Sequence, residues 1–271
     1  NTVVLDTRTG LIVFDTGRHA SQADEIIAYA RERRRPVVAI INSHWHLDHV
    51  SGNPALRDAF PDAAVYSHGA SLAEALNGFL AAGADGNRKR IAEGKLNEGQ
   101  LEDAKRDLAT FEARDRLAPT VSLERPQTLT LDGRVLAVLV AKGASAGDIW
   151  IYDGRSRTAI VGDLITLPAP FLDTACPGEW SKALDEVLAQ PIIRVIPGHG
   201  RAMTRADAEA YRDGFNALIA CASGVAEAAV CADAWAAGAA ALQDEQERDG
   251  SAARDYARYY VETVLRGGRT R

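Results

Sequence analysis

The sequence predicts a mixed α/β fold in which short buried strands alternate with amphipathic helices. Apolar runs such as residues 37–41 are bounded by turn residues, as buried strands are. Several of these runs are separated by segments whose apolar residues recur at helical spacing. In addition, three of the six histidines lie within six residues, directly after the predicted strand 37–41. We therefore expect the functional site at the end of that strand.

The individual elements follow from the same patterns in chain order. The predicted strands cover residues 3–5, 11–14, 37–41, 64–66, 128–131, 135–140, 149–152, 158–161 and 192–196. The predicted helices cover residues 21–34, 54–60 and 179–189, and Pro36 ends the first of them. Between 71 and 117 leucines at helical spacing predict two helices, which we expect glycines to interrupt with a mobile connection. Residues beyond about 204 are predicted to be helical and rich in alanine.

Composition narrows the classes of function. The 271 residues are 46% hydrophobic and 25% charged, which is typical of a folded globular chain. Acidic residues outnumber basic ones by 37 to 31, and a net charge of −6 disfavours a general nucleic-acid binder. No run approaches the ~20 apolar residues of a membrane span. We expect a small-molecule substrate and neither a nucleic-acid nor a membrane partner, while the oligomeric state stays open.

The histidine cluster has the spacing of a metal site. Residues 43–53 read Ser-His-Trp-His-Leu-Asp-His-Val-Ser-Gly-Asn. Alternate residues of an extended backbone point the same way, so His44 and His46 can bind one metal ion. Asp48 and His49 follow where the chain must turn, and they can face a second ion. Imidazole nitrogen and carboxylate oxygen suit zinc and similar divalent ions.

This motif resembles the signature of the metallo-β-lactamase-fold hydrolases. Three further segments, one before this motif and two after it, occur in the order of that family, each at the end of a predicted strand: Asp15-Thr16-Gly17, Gly162-Asp163 and Gly198-His199-Gly200. The resemblance implies a four-layer αββα sandwich over residues 1–203, with the metals at one edge between two sheets. Two helical segments are additions to this sandwich: an insert at about 71–117 and a C-terminal extension, 204–271. We expect the extension to pack on the same domain.

The resemblance implies two metal sites, most simply for zinc. The implied ligands are His44 and His46 for the first ion, Asp48, His49 and His199 for the second, and Asp163 as a bridge between them. A hydroxide between the ions would be the nucleophile, since bound metals lower the pKa of water. Asp48 is also the candidate catalytic residue. Asp15 and the backbone near Ser43 are candidates to support the ligands from behind.

One position departs from the family pattern. The third histidine of the first site would stand at Ala144, and alanine cannot bind a metal. The second site could be occupied alone, or the first ion could bind weakly through His44, His46 and Asp163. Alternatively His68 could reach in, or Ala144 could replace a histidine of a parent sequence. We expect one tightly held ion and a second, weaker one.

The predicted activity is hydrolysis of an ester, thioester, lactone or amide carbonyl. The resemblance favours lactonase, glyoxalase II-like and lactamase branches equally. Phe171, in the proline-containing segment 167–173 after the bridging aspartate, could form a substrate wall or a core contact. The alternative function is a metal- or ligand-binding protein that has lost catalysis through Ala144. A third hypothesis gives Cys176 a redox or assembly role.

The two cysteines of the predicted C-terminal helices help to predict the cellular compartment of the protein. Cys221 and Cys231 would stand ~15 Å apart on one continuous helix, whereas a disulfide needs Cα atoms within about 4.4–6.8 Å. A helix break at Ser223-Gly224 would bring them together, and we predict that disulfide. It would favour a periplasmic or secreted protein, consistent with a processed chain that begins at Asn1. The alternative is a cytoplasmic enzyme with unpaired cysteines.

Overall fold

The computed structural model describes residues 1–243 and 250–267, and they form two compact units. The N-terminal unit comprises Thr2–Glu124 and Leu131–Arg134, and the C-terminal unit comprises Asn1, Arg125–Thr130 and Val135–Arg271. Each unit contains a five-stranded sheet with helices, so the predicted mixed α/β class is confirmed. Within the described ranges no helix is long and apolar enough to cross a membrane.

The N-terminal unit is built on a sheet whose strands follow chain order. The strands are β1 (Val3–Asp6), β2 (Leu11–Phe14), β3 (Val37–Ile41), β4 (Ala64–Ser67) and β5 (Val121–Ser122). The helices are α1 (Ala20–Glu32), α2 (Leu47–Val50), α3 (Asn53–Ala59), α4 (Gly69–Asn77), α5 (Phe79–Glu93) and α6 (Glu98–Glu112). β1 and β2 form the predicted antiparallel hairpin, and β2 to β5 run parallel.

Parallel strands are buried on their faces, and this explains why β2 and β3 are almost wholly apolar. Ile26 and Ala30 of α1 pack with Val13 and Ile40 of these strands in one hydrophobic cluster. The carboxyl ends of parallel strands meet at one edge of a sheet. The segments that follow β2 and β3 are therefore neighbours at that edge. Because they lie outside the buried sheet, these segments can carry polar side chains.

The segment between β4 and β5 forms three α-helices, so the predicted number of two helices was wrong. Gly83 and Gly86 lie inside α5, where no atom lies within 4 Å of an added Cβ. An isolated interior glycine weakens a helix but is tolerated, and α5 also packs on α6. Gly94 does end α5, with a left-handed φ of 66°.

The C-terminal unit contains the second sheet and the remaining helices. Its strands are β6 (Gln127–Leu131), β7 (Arg134–Ala141), β8 (Asp148–Asp153), β9 (Thr158–Thr166) and β10 (Arg194–His199), in the spatial order β10-β9-β8-β7-β6. Its helices are α7 (Pro177–Ala189), α8 (Arg205–Ala222), α9 (Ala228–Ala239) and α10 (Ser251–Tyr260), which continues as a π-helical turn, Val261–Leu265. β9 is buried along its whole length and pairs in parallel with β10.

The alanine-rich helices pack closely because their side chains are small. Ala232 and Ala236 of α9 and Ala253 and Ala257 of α10 are all buried in the core of this unit. α8 ends at Ala222 and α9 begins at Ala228, so the chain reverses where the break was predicted. Cys221 and Cys231 are joined by a disulfide across this reversal, with their Cα atoms 5.7 Å apart, and that prediction is confirmed.

Candidate metal centre

Four of the predicted ligands lie on one loop of the N-terminal unit, residues 42–53, which we call the ligand loop. The loop follows β3 and includes the one-turn helix α2. The ring centroid of His44 lies 4.3 Å from that of His46 and 4.2 Å from that of His49. His44 and His49 are almost fully buried, while Asp48 is partly exposed. Three imidazoles and a carboxylate within this span match the donors that borderline divalent ions prefer.

A buried carboxylate from the neighbouring strand fixes the histidine rings. Asp15 follows β2, and its Oδ2 lies 2.8 Å from Nδ1 of His49 and 2.8 Å from Oγ of Ser43, which donates to it. The backbone N–H of Ser43 donates to the other oxygen of Asp15, at 2.7 Å. Asp15 has a φ of 60°, a backbone conformation in which Asp and Asn are enriched.

These contacts assign the same tautomer to two of the rings. A carboxylate only accepts, so neutral His49 carries its proton on Nδ1. The hydroxyl of Ser43 donates its one hydrogen to Asp15, and it therefore accepts from Nδ1 of His44, 2.9 Å away. Both rings then have their lone pair on Nε2, the form in which a histidine ligates a metal through that atom.

The remainder of the ligand loop is held by an amide network. The His49 carbonyl accepts from the backbone N–H of Thr16 at 2.9 Å, the Thr16 hydroxyl at 3.1 Å and the Asn42 amide at 3.0 Å. Asn53 closes the network by donating to the Asn42 side-chain oxygen at 2.8 Å. A Cβ at Gly52 would overlap the Thr16 carbonyl, which explains the glycine at that position.

Trp45, between two of the predicted ligands, is a packing residue. Its ring is 6% exposed and lies 5.6 Å from the Phe79 ring and 4.5 Å from the His46 ring. It belongs to an apolar cluster with Leu72 and Leu80 of α4 and α5. The helices inserted between β4 and β5 therefore pack directly against the ligand loop.

The other two predicted ligands are neighbours in the C-terminal unit. Asp163 lies in β9 and His199 ends β10, and the parallel pairing brings their side chains together. Nε2 of His199 lies 3.5 Å from Oδ1 of Asp163. A Cβ at Gly198 would overlap that same oxygen, so glycine is required for the carboxylate to occupy this position.

The loop between β7 and β8 contains the departure from the family pattern. Ala144 is fully buried in the hydrophobic core of the C-terminal unit, and its carbonyl accepts from the Thr174 hydroxyl at 2.8 Å. The loop is organised by Asp148, whose Oδ2 accepts the N–H groups of Gly143 and Ser145 at 2.8 and 3.1 Å. Burial raises the pKa of Asp148 to about 7, and the carboxylate of Asp163 acts in the same direction.

His68 is engaged elsewhere in the N-terminal unit. Its Nδ1 accepts the N–H of Ser71 and caps α4, and its Nε2 lies 3.2 Å from a Glu124 oxygen. Both ring nitrogens thus have local partners, which argues against the hypothesis that His68 replaces the missing ligand. His19 precedes α1, and its backbone N–H donates to the Gln22 side chain at 2.9 Å.

Sequence reasoning missed several residues that shape these segments. Asn42 and Asn53 could have been suspected, because they flank the histidine cluster. Asp148 could have been suspected as well, since it follows the glycine-rich segment around Ala144. Tyr211 and Trp235 gave no signal, because they are far along the chain from the segment that they contact, residues 166–168.

Comparison with known families identifies the class of protein. The family model of the metallo-beta-lactamase superfamily matches residues 1–199. The chain therefore belongs to the metallo-beta-lactamase superfamily, whose members bind divalent metal ions and are mostly hydrolases. The two five-stranded sheets and their helices match the fold of that superfamily.

Individual relatives are distant. A hydroxyacylglutathione hydrolase of Parasynechococcus marenigrum is 38% identical over 48 residues, which are 18% of this chain and 19% of that protein. A metallo-beta-lactamase from Pontibacter korlensis has a TM-score of 0.56 and 18% identity, covering 77% of this chain and 83% of its own. A double mutant of the sec-alkyl sulfatase PisA1 has a TM-score of 0.62 and 18% identity, covering 98% of this chain and 48% of its own. These structural likenesses extend to the fold alone.

Proposed function

We propose that the protein is a metal-dependent hydrolase that cleaves an ester, thioester, lactone or amide. The observation that carries the proposal is the Asp15–Ser43 pair, which holds two buried histidines with their lone pairs on Nε2. A buried carboxylate behind a histidine is the usual support of a ligating imidazole. Membership of the superfamily and the short match to a hydroxyacylglutathione hydrolase are in keeping with this function.

In this proposal the ligands are the six residues that the sequence indicates. The proposed ligands are His44, His46, Asp48, His49, Asp163 and His199. A divalent ion, when bound, lowers the pKa of a coordinated water and polarises the substrate carbonyl. Asp48 is partly exposed, and its carboxylate would accept the proton that the attacking water loses. Asp15 would keep His49 oriented throughout, because its carboxylate bonds the ring nitrogen that does not face the ion.

The proposed occupancy is one tightly held ion and a second, weaker one. Asp48, His49, Asp163 and His199 give four ligands to one site. His44, His46 and Asp163 give only three to the other, because Ala144 provides no donor. Zinc suits these donors best. Iron is the competing metal, since one structurally similar protein is a di-iron-bound form with 24% identity, a TM-score of 0.51, and coverage of 76% of this chain and 90% of its own.

The competing function is a metal- or ligand-binding protein without turnover. The buried alanine at position 144 favours it, because the loss of a ligand weakens control over one of two ions. The disulfide between Cys221 and Cys231 favours an oxidising compartment for either function, and we propose a periplasmic or secreted location over a cytoplasmic one.

The test measures metal content and turnover on the same preparation. Protein purified without added metal is analysed for bound ions, stripped with a chelator and reloaded with zinc or iron. Each form is then assayed with a panel of uncharged esters, thioesters, lactones and lactams. We expect hydrolysis that disappears with the metal and returns on reloading.

The outcomes separate the hypotheses. Metal binding without turnover of any substrate in the panel would support the binding protein over the hydrolase. Turnover that survives complete removal of metal would contradict the proposed mechanism, whatever the substrate. A protein that binds no divalent ion at micromolar concentration would contradict both the metal-dependent hydrolase and the metal-binding protein.

A further inference from the structure

The segment between β9 and α7, residues 167–176, begins beside two of the proposed ligands. Thr166 pairs with His199, and the N–H of Leu167 donates to the His199 carbonyl at 3.3 Å. This segment, which we call the aromatic-held loop, has no regular secondary structure of its own. Loops next to catalytic groups often contact the substrate, and their conformation must then be fixed from outside.

The C-terminal helices hold this loop with aromatic side chains. The hydroxyl of Tyr211 in α8 accepts the N–H of Thr166 at 3.2 Å. The indole N–H of Trp235 in α9 donates to the Pro168 carbonyl at 3.0 Å. Both side chains are buried, and their rings contact each other at 5.6 Å. Two helices joined by a disulfide therefore fix the beginning of the loop.

Aromatic rings also line the middle of the loop. The Phe171 ring packs edge-on against Tyr260 of α10, with 6.1 Å between centroids, and Tyr260 packs against Tyr259 at 5.2 Å. Phe171 is half-buried and Tyr259 is 41% exposed, so parts of both rings face solvent. The hydroxyl of Tyr259 donates to the Asp173 carboxylate at 3.4 Å, which places a negative charge beside the rings.

We propose that Phe171 and Tyr259, packed on the buried ring of Tyr260, form an aromatic wall that binds the apolar, uncharged acyl group of the substrate. Tyr211 and Trp235 are positioning residues, because they act through the loop that presents Phe171. Exposed aromatic rings recognise apolar groups through large contact areas, and the Asp173 carboxylate disfavours an anionic group. This inference rests on the proposed hydrolase activity for its substrate class.

The experiment measures the hydrolysis of two uncharged esters by the zinc-loaded protein. para-Nitrophenyl butyrate exceeds para-nitrophenyl acetate by two methylenes, and each fully buried methylene gives roughly a four-fold gain. With partial burial we expect kcat/KM to be about 10-fold higher for the butyrate. Phe171→Ala should reduce this preference to about 2-fold, and Phe171→Leu should restore most of it, because leucine replaces much of the lost apolar area.

The positioning residues are tested with variants that remove their hydrogen bonds to the loop, two at the Tyr211 hydroxyl and one at the Trp235 indole. Tyr211→Phe and Trp235→Phe should reduce the preference for butyrate and increase amide hydrogen exchange across residues 166–173. Tyr29→Phe in α1 is the matched control, and it should change neither quantity. A merely structural role would lower activity on both esters equally and leave their ratio unchanged, which would contradict the assignment.

A binding measurement tests the aromatic wall independently of catalysis. Equilibrium dialysis compares para-nitrophenyl butyl ether with the methyl ether, neither of which can be hydrolysed. Tighter binding of the butyl ether that is lost in Phe171→Ala supports the wall even if no ester is cleaved, in which case only the proposed function fails. Equal binding of the two ethers by the unmodified protein, or an unchanged preference in Phe171→Ala, overturns the wall.

Discussion

The ligand loop and the aromatic-held loop show two ways to fix an irregular segment beside a reactive centre. In the ligand loop the supports are polar and local: Asn42 and Asn53 lie within the loop, and Asp15 comes from the adjacent strand. In the aromatic-held loop the supports are aromatic and remote, since Tyr211 and Trp235 lie 45 and 67 residues from their partners. The polar supports lie in or near the histidine motif and can be found from the sequence, whereas the aromatic supports lie far from the loop in the chain and cannot.

The difference has an energetic reason. Ligands must keep a fixed tautomer and direction, and buried hydrogen bonds to a carboxylate provide both. A surface that binds an apolar group needs shape rather than direction, and packed rings provide shape. We therefore expect changes in the ligand loop to act on metal affinity, and changes in the aromatic-held loop to act on the choice of substrate.

The largest effect is expected when a ligand is removed. Asp48→Ala and His199→Ala should each abolish hydrolysis and weaken metal retention, by more than the ~10–100-fold loss that follows removal of a supporting group behind a ligand. Metal content after dialysis and turnover are measured together. His68→Ala is the control, because His68 caps α4, and it should retain its metal. Loss of metal from His68→Ala would show that His68 is a ligand after all.

A pH-dependent effect is expected at Asp148. Burial raises its pKa from 3.8 to about 7, so the folded chain keeps a proton that the unfolded chain has already lost. Folded stability should fall as pH rises from about 4 to 7, by up to ~4 kcal/mol, and then level off. Asp148→Asn should remove this slope in denaturant titrations of the metal-free protein.

The matched control for that titration is Asp185→Asn. Asp185 forms an exposed ion pair with Arg212, so its replacement should leave the slope unchanged. Equal slopes for Asp148→Asn and the unmodified protein would mean that Asp148 is ionised in the fold. The hydrogen bonds that it accepts from the Gly143 N–H, the Ser145 N–H and the Ser145 hydroxyl would then outweigh its burial.

A smaller effect is expected when the support behind His49 is weakened. Asp15→Asn keeps an acceptor for the Ser43 N–H and suits the positive φ, but it removes the negative charge. Metal affinity in competition with a chelator should fall by about 10–100-fold. Asp132→Asn, at another positive φ, is the control and should leave affinity unchanged. If Asp15→Asn also binds metal normally, the loop does not need that charge.

The smallest expected effect is a gain in metal affinity at the first site, that of His44 and His46. Ala144→His would return the donor that the family pattern has there, and the weaker ion should bind about 10-fold more tightly, by analogy with the loss that supporting groups cause. Calorimetric titration with zinc measures both sites. Ala144→Leu adds volume without a donor nitrogen and is the control. No change in either variant would show that the β7–β8 loop does not approach the metal.

Features that depend on the pattern of neighbouring residues could be predicted from the sequence. Buried parallel strands such as 37–41 are continuous apolar runs, so the strands were predicted closely, and the helix break after Ala222 followed from Ser223-Gly224. The close approach of His44, His46 and His49 was predicted because these residues are nearly contiguous, and that they bind metal remains a prediction. The assignment of the ligand-loop side chains to particular ions also remains a prediction.

Other features depend on contacts that a linear pattern does not contain. The number of helices between β4 and β5 was missed, because Gly83 and Gly86 read as breaks although tertiary packing carries α5 through them. The contact of Trp235 with Pro168 joins residues whose only relation is spatial. The raised pKa of Asp148 arises from burial, which no single residue type reveals.

The disulfide has a consequence for proteolysis. The turn between α8 and α9 carries the fully exposed Val225, and Cys221 and Cys231 lie on either side of it. Exposed turn tips are preferred sites of proteolytic cleavage. A chain cut at Val225 would remain a single covalent molecule, and its two fragments would separate on a gel only after reduction. Such a nicked form would still carry Tyr211 and Trp235 on the two helices that the disulfide joins.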